Sequence, residues 1–352
     1  MPSVNWPVPK VSEMLMRPPA PERKKNADTA LAVHQRHLPE FQEVFERSAE
    51  ETIASMNETG RDVASQPAKH PLAIRSMGVA RTAIPVIIRN PLGGGLAHLS
   101  CSVDLLVGLA AEKRGIHVSR MGDVLARLAG EQYDSLHHYA TRLVEMLRTT
   151  QHADTAHVRV QGQLPYLEAI EGVKSKSSLE SLGLSIEAEF ANGQTQFTQG
   201  IVFSHITACP CVQQTYRQSH DDESTAFVNE LELRQMPLMT HSQRCRTHVK
   251  LRGLAGPLNL LEILDSIDRV AVRCQNTMPR EFELLTVFLA HARPQFLEDV
   301  LRDLSADLAK TLADEADTAR IVIDSISMES IHDFDLHGQI DTSLAEVRAI
   351  SP

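Results

Sequence analysis

One stretch constrains this chain more than any other. Residues 182–190, LGLSIEAEF, alternate apolar and polar side chains, Asn192-Gly193 follows, and GIVFSHIT (200–207) returns. Period-two alternation puts the apolar set on one face of a strand. Asn-Gly supplies the two positive-φ residues that a tight hairpin needs. A hairpin buried on one face cannot stand alone, so further strands must flank it. The sequence offers them: ARTAIPVIIRN (80–90), turned by Gly93-Gly94-Gly95 into LAHLSCSVDLLV, then VRVQGQL (158–164), RTHVKLRG (246–253) and ARIVIDSIS near the C-terminus. Between them, spacings of three and four predict helices over 121–129, 133–148 (Leu136, Tyr139, Leu143, Leu147), 258–275 (Leu260, Leu264, Ile267, Val270) and 294–312 (Leu297, Leu301, Leu304, Leu308). The order β-β-α-α occurs and loosely recurs, which predicts an α+β fold with mainly antiparallel sheet.

This main domain is expected over residues 76–352. Ahead of it, residues 1–75 read as an extension: a Pro-rich charged start (1–27), one amphipathic helix from Asp28 to about Asn57, and a linker. The 352 residues carry 35 Lys+Arg against 45 Asp+Glu, a net charge of −10. That balance argues against a nucleic-acid or anionic-membrane partner, whose binding rests on clustered cations. Ten Phe, four Tyr and one Trp leave little for base stacking. No signal-peptide pattern or membrane-length apolar run is visible, and the cysteine count is odd: Cys101, Cys209, Cys211, Cys245 and Cys274. These features predict a cytoplasmic protein with reduced thiols, in which clustered Cys favours metal binding or catalysis.

Three clusters could carry chemistry. In ITACPCVQQ, Pro210 ends the strand, so Cys209 and Cys211 stand at its exit, and the proline lets the two side chains diverge. Isolated cysteines are usually core residues, but a Cys-Pro-Cys pair ahead of a polar run also suits a metal ligand or nucleophile. MTHSQRCRTHVK offers His241, Arg244, Cys245, Arg246 and His248, either a solvated strand entry or a proton-transfer His beside phosphate-pairing Arg. MESIHDFDLH offers Glu329 and His332, which can face one site only if the strand ends between them. A weaker group, His117, Ser119 and Arg120, lies where the chain enters a helix, which suits anion contacts or a plain connection equally. No Gly-x-Ser-x-Gly, His-Glu-x-x-His or Pro-Cys-x-x-Cys occurs, against serine hydrolases, zincins and zinc nucleobase deaminases. Spacing alone supports scattered Cys, His and Glu that could converge on one metal.

Six motifs taken in order resemble the GTP cyclohydrolase I type B family: GIHVSRM, ACPCVQ, THSQRC, MPRE, FLEDVLRD and ESIH. The resemblance covers roughly residues 76–345 and implies a tunnelling fold of two ββαα-type modules, assembled as a homotetramer with active sites at subunit interfaces. It implies hydrolysis of GTP to 7,8-dihydroneopterin triphosphate and formate, the first step towards folate and other pterins. One divalent metal per subunit, Zn, Mn or Fe(II), would activate water at carbon 8 of the purine. By motif, Cys209, His241 and Glu281 fall at metal positions, with Glu283 a second carboxylate beside them. Cys209, His241, Glu329 and His332 fall at catalytic positions, the last two as further ligands or proton-transfer groups. Glu298 falls at the carboxylate that anchors guanine, and His117, Ser119, Arg120 and Arg244 at substrate-binding positions. The chain departs from the family in a longer segment 212–240, read as a polar insertion, and in Val212, Cys245 and Asp333-Phe334. A relative giving a different pterin product, such as a cyclic phosphate, or a non-catalytic purine- or pterin-binding scaffold are the competing readings.

Overall fold

In a computed structural model, residues 63–169, 177–218 and 222–350 are described. The expected helix 28–57 and the Pro-rich start lie outside them. The strands are β1 (Ile74–Arg89), β2 (Leu96–Leu109), β3 (Gln132–Tyr133), β4 (Ala156–Ala169), β5 (Ser177–Ala191), β6 (Gln194–Ala208), β7 (Ser242–Arg252), β8 (Val272–Arg273), β9 (Arg320–Met328) and β10 (Leu336–Ser343). The helices are α1 (Val118–Leu128), α2 (Leu136–Gln151), α3 (Pro210–Arg217), α4 (Asp222–Leu233), α5 (Leu260–Val270), α6 (Arg280–Ala292), α7 (Leu297–Thr311) and α8 (Leu344–Ile350). The strands form one sheet in the order β10-β9-β7-β6-β5-β4-β2-β1-β3, and β8 pairs with the end of β6. Every pairing is antiparallel except the short one of β1 with β3.

Local chemistry explains these elements. Asn192 (φ 52°) and Gly193 (φ 79°) make the turn expected between β5 and β6. Gly93, Gly94 and Gly95 all take positive φ between β1 and β2, which β-branched or bulky residues would resist. Ser135 caps α2 by accepting from His138 N at 3.0 Å, so this helix begins three residues later than its periodicity predicts. His152, in the left-handed region at φ 49°, closes it. Along β2, Leu99, Cys101, Val103, Leu105 and Val107 are buried beneath the helices, while the alternate residues lie on the opposite, uncovered face. Helix α2 packs on β2, β4 and β5; α7 packs on α5, β9 and β10. The buried side chains form a continuous apolar cluster. The architecture is therefore α+β, an antiparallel sheet with helix pairs packed on it.

Three expectations are corrected. Segment 212–240 is not merely a polar insertion, since α3 and α4 occupy much of it. Helix α6 follows Pro279 where no helix is predicted, because its apolar residues do not fall into one stripe. After a loop over 329–335 the chain adds β10, a strand not predicted, at the sheet edge, and its charged residues pair across the ladder, Arg320 with Asp341 (2.7 Å) and His337 with Asp324 (3.0 Å). Charged edges of this kind discourage further strand addition.

Residues 63–71 form a separate small unit with 112–115, joined by Ala68 N to Glu112 O (3.0 Å) and Arg114 N to Gln66 O (2.9 Å). Among the described residues, no helix is long and apolar enough to cross a membrane.

Candidate active site

Strand β6 ends at Ala208 because Pro210, the first residue of α3, has no N–H to give to a ladder. Cys209 is left at the N-cap position, half-buried, between a rigid strand and a helix. Its N–H donates to His241 O at 3.0 Å, and Thr240 Oγ1 donates to Cys209 O at 2.7 Å. This two-way clasp continues the β6–β7 register one step beyond Ala208–Ser242 and sets Cys209 and His241 side by side.

A buried amide holds the clasp from behind. Gln213, only 2% exposed, donates both amide hydrogens, to Leu238 O (2.7 Å) and to His291 O (2.8 Å). The ring nitrogens of His291 face Val287 O (2.7 Å) and Thr240 O (3.2 Å). The end of α6, the start of α3 and the loop carrying His241 are thus fastened at one point. His241 Nδ1 is buried with no hydrogen-bond partner, a costly state for an imidazole nitrogen. The His332 ring stands edge-on to the His241 ring with centroids 6.3 Å apart, and it stacks on Phe334 at 5.0 Å. Strand β9 stops at Met328, before both Glu329 and His332, so the parity conflict between them does not arise. Ser327 Oγ donates to Glu329 Oε1 at 2.8 Å.

Beneath the helices, the sheet next to this corner is unexpectedly polar. His205 Nε2 meets Thr247 Oγ1 at 2.8 Å, which meets Ser325 Oγ at 2.6 Å, and Thr207 Oγ1 lies 3.4 Å from Cys245 Sγ. Burial lowers the His205 pKa to about 4, so this imidazole is neutral at pH 7. Burial raises the Cys245 thiol, with hydrogen bonds from Ser327 and Thr207 opposing. The Cys211 thiol is raised by desolvation and by Cys209 beside it. Cys211 sits exposed in α3, two residues beyond the half-buried Cys209.

The other predicted site residues stand apart from this pair. Glu281 is exposed in the first turn of α6, about 15 Å along the helix axis from His291. Glu283 is exposed in the same turn, and Glu298 is exposed in the first turn of α7. His117 precedes α1, its backbone held by Gln151 in both directions (3.2 and 2.8 Å), with Ser119 and Arg120 in the first turn. Arg244 lies on the uncovered face of β7, its Nη2 3.9 Å from Met328 Sδ. Among the described residues of the single chain, no three His, Cys, Asp or Glu side chains converge to hold a metal ion. Cys209 and His241 still fit one in part: the backbone pairs a cysteine with a histidine whose buried ring nitrogen has no hydrogen-bond partner. Sequence reasoning misses Gln213, His291 and the row through His205. The row's signal is present, however, as polar residues at inward positions of strands that otherwise alternate.

An α+β enzyme with a Cys–His corner at the end of a sheet strand is the class that fold and site define. The family model described as "Type I GTP cyclohydrolase folE2" matches residues 61–338, and the chain belongs to that family. It is 26% identical over 264 residues to the GTP cyclohydrolase MptA of Thermoplasma volcanium, covering 74% of this chain and 87% of that protein. It is 26% identical over 275 residues to the GTP cyclohydrolase FolE2 of Maridesulfovibrio salexigens, covering 77% and 94% respectively. Uricase from Arthrobacter globiformis superposes with a TM-score of 0.41 at 10% identity, over 76% of this chain and 92% of that one.

Proposed function

We propose that this enzyme hydrolyses GTP to 7,8-dihydroneopterin triphosphate and formate. The observation that carries the reading is the Cys209–His241 clasp with its unpartnered imidazole nitrogen. Cys209 and His241 hold a divalent ion, and Glu281 supplies the carboxylate in the assembled enzyme. When bound, the ion supplies Lewis acidity for water attack on the purine. Glu298 accepts two hydrogen bonds from the guanine edge, a bidentate pairing that fixes the base. His332 at the rim of the corner and Glu329, oriented by Ser327, exchange protons during ring opening and formate release.

His117, Ser119, Arg120 and Arg244 suit the triphosphate. The first three sit at the start of α1, remote in the fold from Cys209, so a homotetramer with sites between subunits brings them into reach. The outward apolar residues of α6, among them Leu284 (71% exposed) and Val287 (53% exposed), support assembly. The test incubates protein reconstituted with Zn, Mn or Fe(II) with GTP, then measures formate and identifies the pterin by mass spectrometry. Formate with the linear triphosphate confirms the reading. A cyclic phosphate product would favour the competing reading of a relative with a different pterin product, and no formate with any metal would defeat the reading. Glu281→Gln should lower bound metal as well as turnover; unchanged metal content moves the carboxylate ligand elsewhere.

A further inference from the structure

The sheet face turned away from the helices carries a trough of about 400 Å³ across β2, β4, β5, β6 and β7. Ser100, Ser102, Gln161, Ser185, Arg246 and His248 are among its lining residues, and no carboxylate lines it. Gly162 and Gly183 are part of its lining, and Gly200 stands beside it on β6. A Cβ at Gly200 would stand 2.4 Å from Ser185 Oγ and 2.6 Å from His248 Nε2, a pair that lies 3.2 Å apart only because Gly200 leaves the space.

The charges on this face are unequally matched. Arg159 pairs with Glu187 (3.0 Å), Arg320 with Asp341 (2.7 Å) and His337 with Asp324 (3.0 Å). Arg246 and Lys250 make no hydrogen bond or ion pair among the described residues. Their cross-strand neighbours explain why: Ser204 and Ile326 flank Arg246, and Gly200 and Val322 flank Lys250. Between them, His248 faces Asp324, which His337 already engages. Arg246 thus lines a cavity rich in hydroxyl and amide groups, and Lys250 stands beyond its edge, about 13 Å further along the same strand. Acids are absent from the positions that would neutralise them.

We propose that this trough binds a phosphate chain, with Arg246 pairing its oxygens, Ser100, Ser102, Ser185 and Gln161 donating hydrogen bonds to it, and Lys250 meeting the end that extends beyond the trough. The site is additional to the Cys209–His241 corner and does not rest on the activity proposed there. Its ligand is either inorganic polyphosphate or the phosphate tail of a nucleotide.

The experiment is calorimetric titration of the full-length protein with tripolyphosphate, GTP and guanosine at low salt, where exposed charge pairs are least screened. Tripolyphosphate should bind the native protein and Cys209→Ser alike. In Arg246→Ala/Lys250→Ala its affinity should fall roughly tenfold or more, whereas Arg246→Lys should keep most of it. The histidine itself gives a second readout. His248 is lowered to about 4 by burial and by Lys250, with Asp324, Glu187 and Arg246 also acting on it. Bound phosphate should raise its NMR titration midpoint in the native protein and not in the double variant. Competition by GTP, with none by guanosine, assigns the nucleotide tail; tripolyphosphate binding that GTP does not displace assigns free polyphosphate. Absence of tripolyphosphate binding, or equal affinity in the double variant, overturns the proposal. A protein that binds tripolyphosphate yet releases no formate from GTP would defeat the functional reading and leave this one standing.

Discussion

The two halves of the sheet carry similar helix layers over very different inner faces. Under α1 and α2, strands β2 and β4 bury Leu99, Val103, Leu105, Val107, Val158 and Val160 against Met121, Tyr139, Leu143 and Leu147. Under the second helix pair, the end of β7 and the start of β9 are built in the same way with Val249, Leu251, Ile321 and Ile323, all 1% exposed or less. Towards Cys209 the same inward positions change to His205, Thr207, Cys245, Thr247, Ser325 and Ser327, still buried. A satisfied buried hydroxyl pair contributes only about 1 kcal/mol net, less than the burial of a Leu or Val it displaces. The first half is built for packing, whereas the second trades packing for a polar corner whose members are oriented by one another. The difference teaches where chemistry sits in a fold of near-repeated elements: at the end of the half that packs less well.

The largest expected effect breaks the polar half at its tip. Cys209→Ser should lower turnover by roughly a thousandfold or more, since a hydroxyl is a poor substitute for thiolate, and should strip bound metal. Steady-state formate release and metal analysis check it. Turnover within about tenfold of native would remove Cys209 from the reaction.

The packed half should answer in the opposite currency. Leu143, fully buried in α2, fills the space over β4 and β5. Leu143→Ala should cost about 2–5 kcal/mol of stability through its cavity. Its kcat should stay near native at temperatures where the variant is folded. Urea midpoints paired with kcat test this, and a stable variant with reduced kcat would mean the halves are not functionally separate.

Much of the packed half was legible in the sequence, because period-two strands and 3.6-residue helices write their inward faces directly. Leu136, Tyr139, Leu143 and Leu147 read as one stripe, and in the structure the last three are buried. Asn192-Gly193 fixed the β5–β6 register through its turn geometry. The corner was legible only as motifs. Cys209 and His241 can be named from Cys-Pro-Cys and Thr-His-Ser-Gln-Arg, but their adjacency depends on a ladder closing across residues 210–240, and no local pattern encodes that. Gln213 was hidden in the same way, since both its acceptors are main-chain carbonyls of remote residues, Leu238 and His291. Helix α6 was missed because Leu284, Leu285, Val287 and Leu289 are all exposed, leaving no inward stripe to detect.

A smaller effect sharpens the comparison through pH. His205 is buried and neutral, with a pKa of about 4 against an ordinary 6.5. Below pH 6.5 the unfolded chain takes up a proton there that the folded chain refuses, so stability is full above 6.5 and is lost as pH falls towards 4. At full extent the loss is about 3 kcal/mol. His205→Leu removes this share, so its unfolding midpoint should fall less than the native protein's between pH 7 and pH 4.5. Parallel declines in both proteins would show that the polar row is not what makes the fold acid-sensitive.

The smallest expected effect lies two residues from the largest. Cys211 is exposed in the first turn of α3, and its thiol takes no part in the clasp that holds Cys209. A serine there keeps a hydroxyl donor in the same place, and exposed substitutions away from buried networks usually change stability by no more than about 0.5 kcal/mol. Cys211→Ser should therefore retain turnover within about threefold and keep its metal, while Cys209→Ser loses both. The contrast has a structural reason. Cys209 is fixed by the two-way clasp to Thr240 and His241 at the end of a central strand, and precise ligand geometry needs a rigid support. Cys211 has solvent on one side and could turn away without disturbing β6. If Cys211→Ser instead abolishes turnover and Cys209→Ser spares it, the ligand is the helical cysteine. The unpartnered nitrogen of His241 must then be completed from α3 and not from the strand.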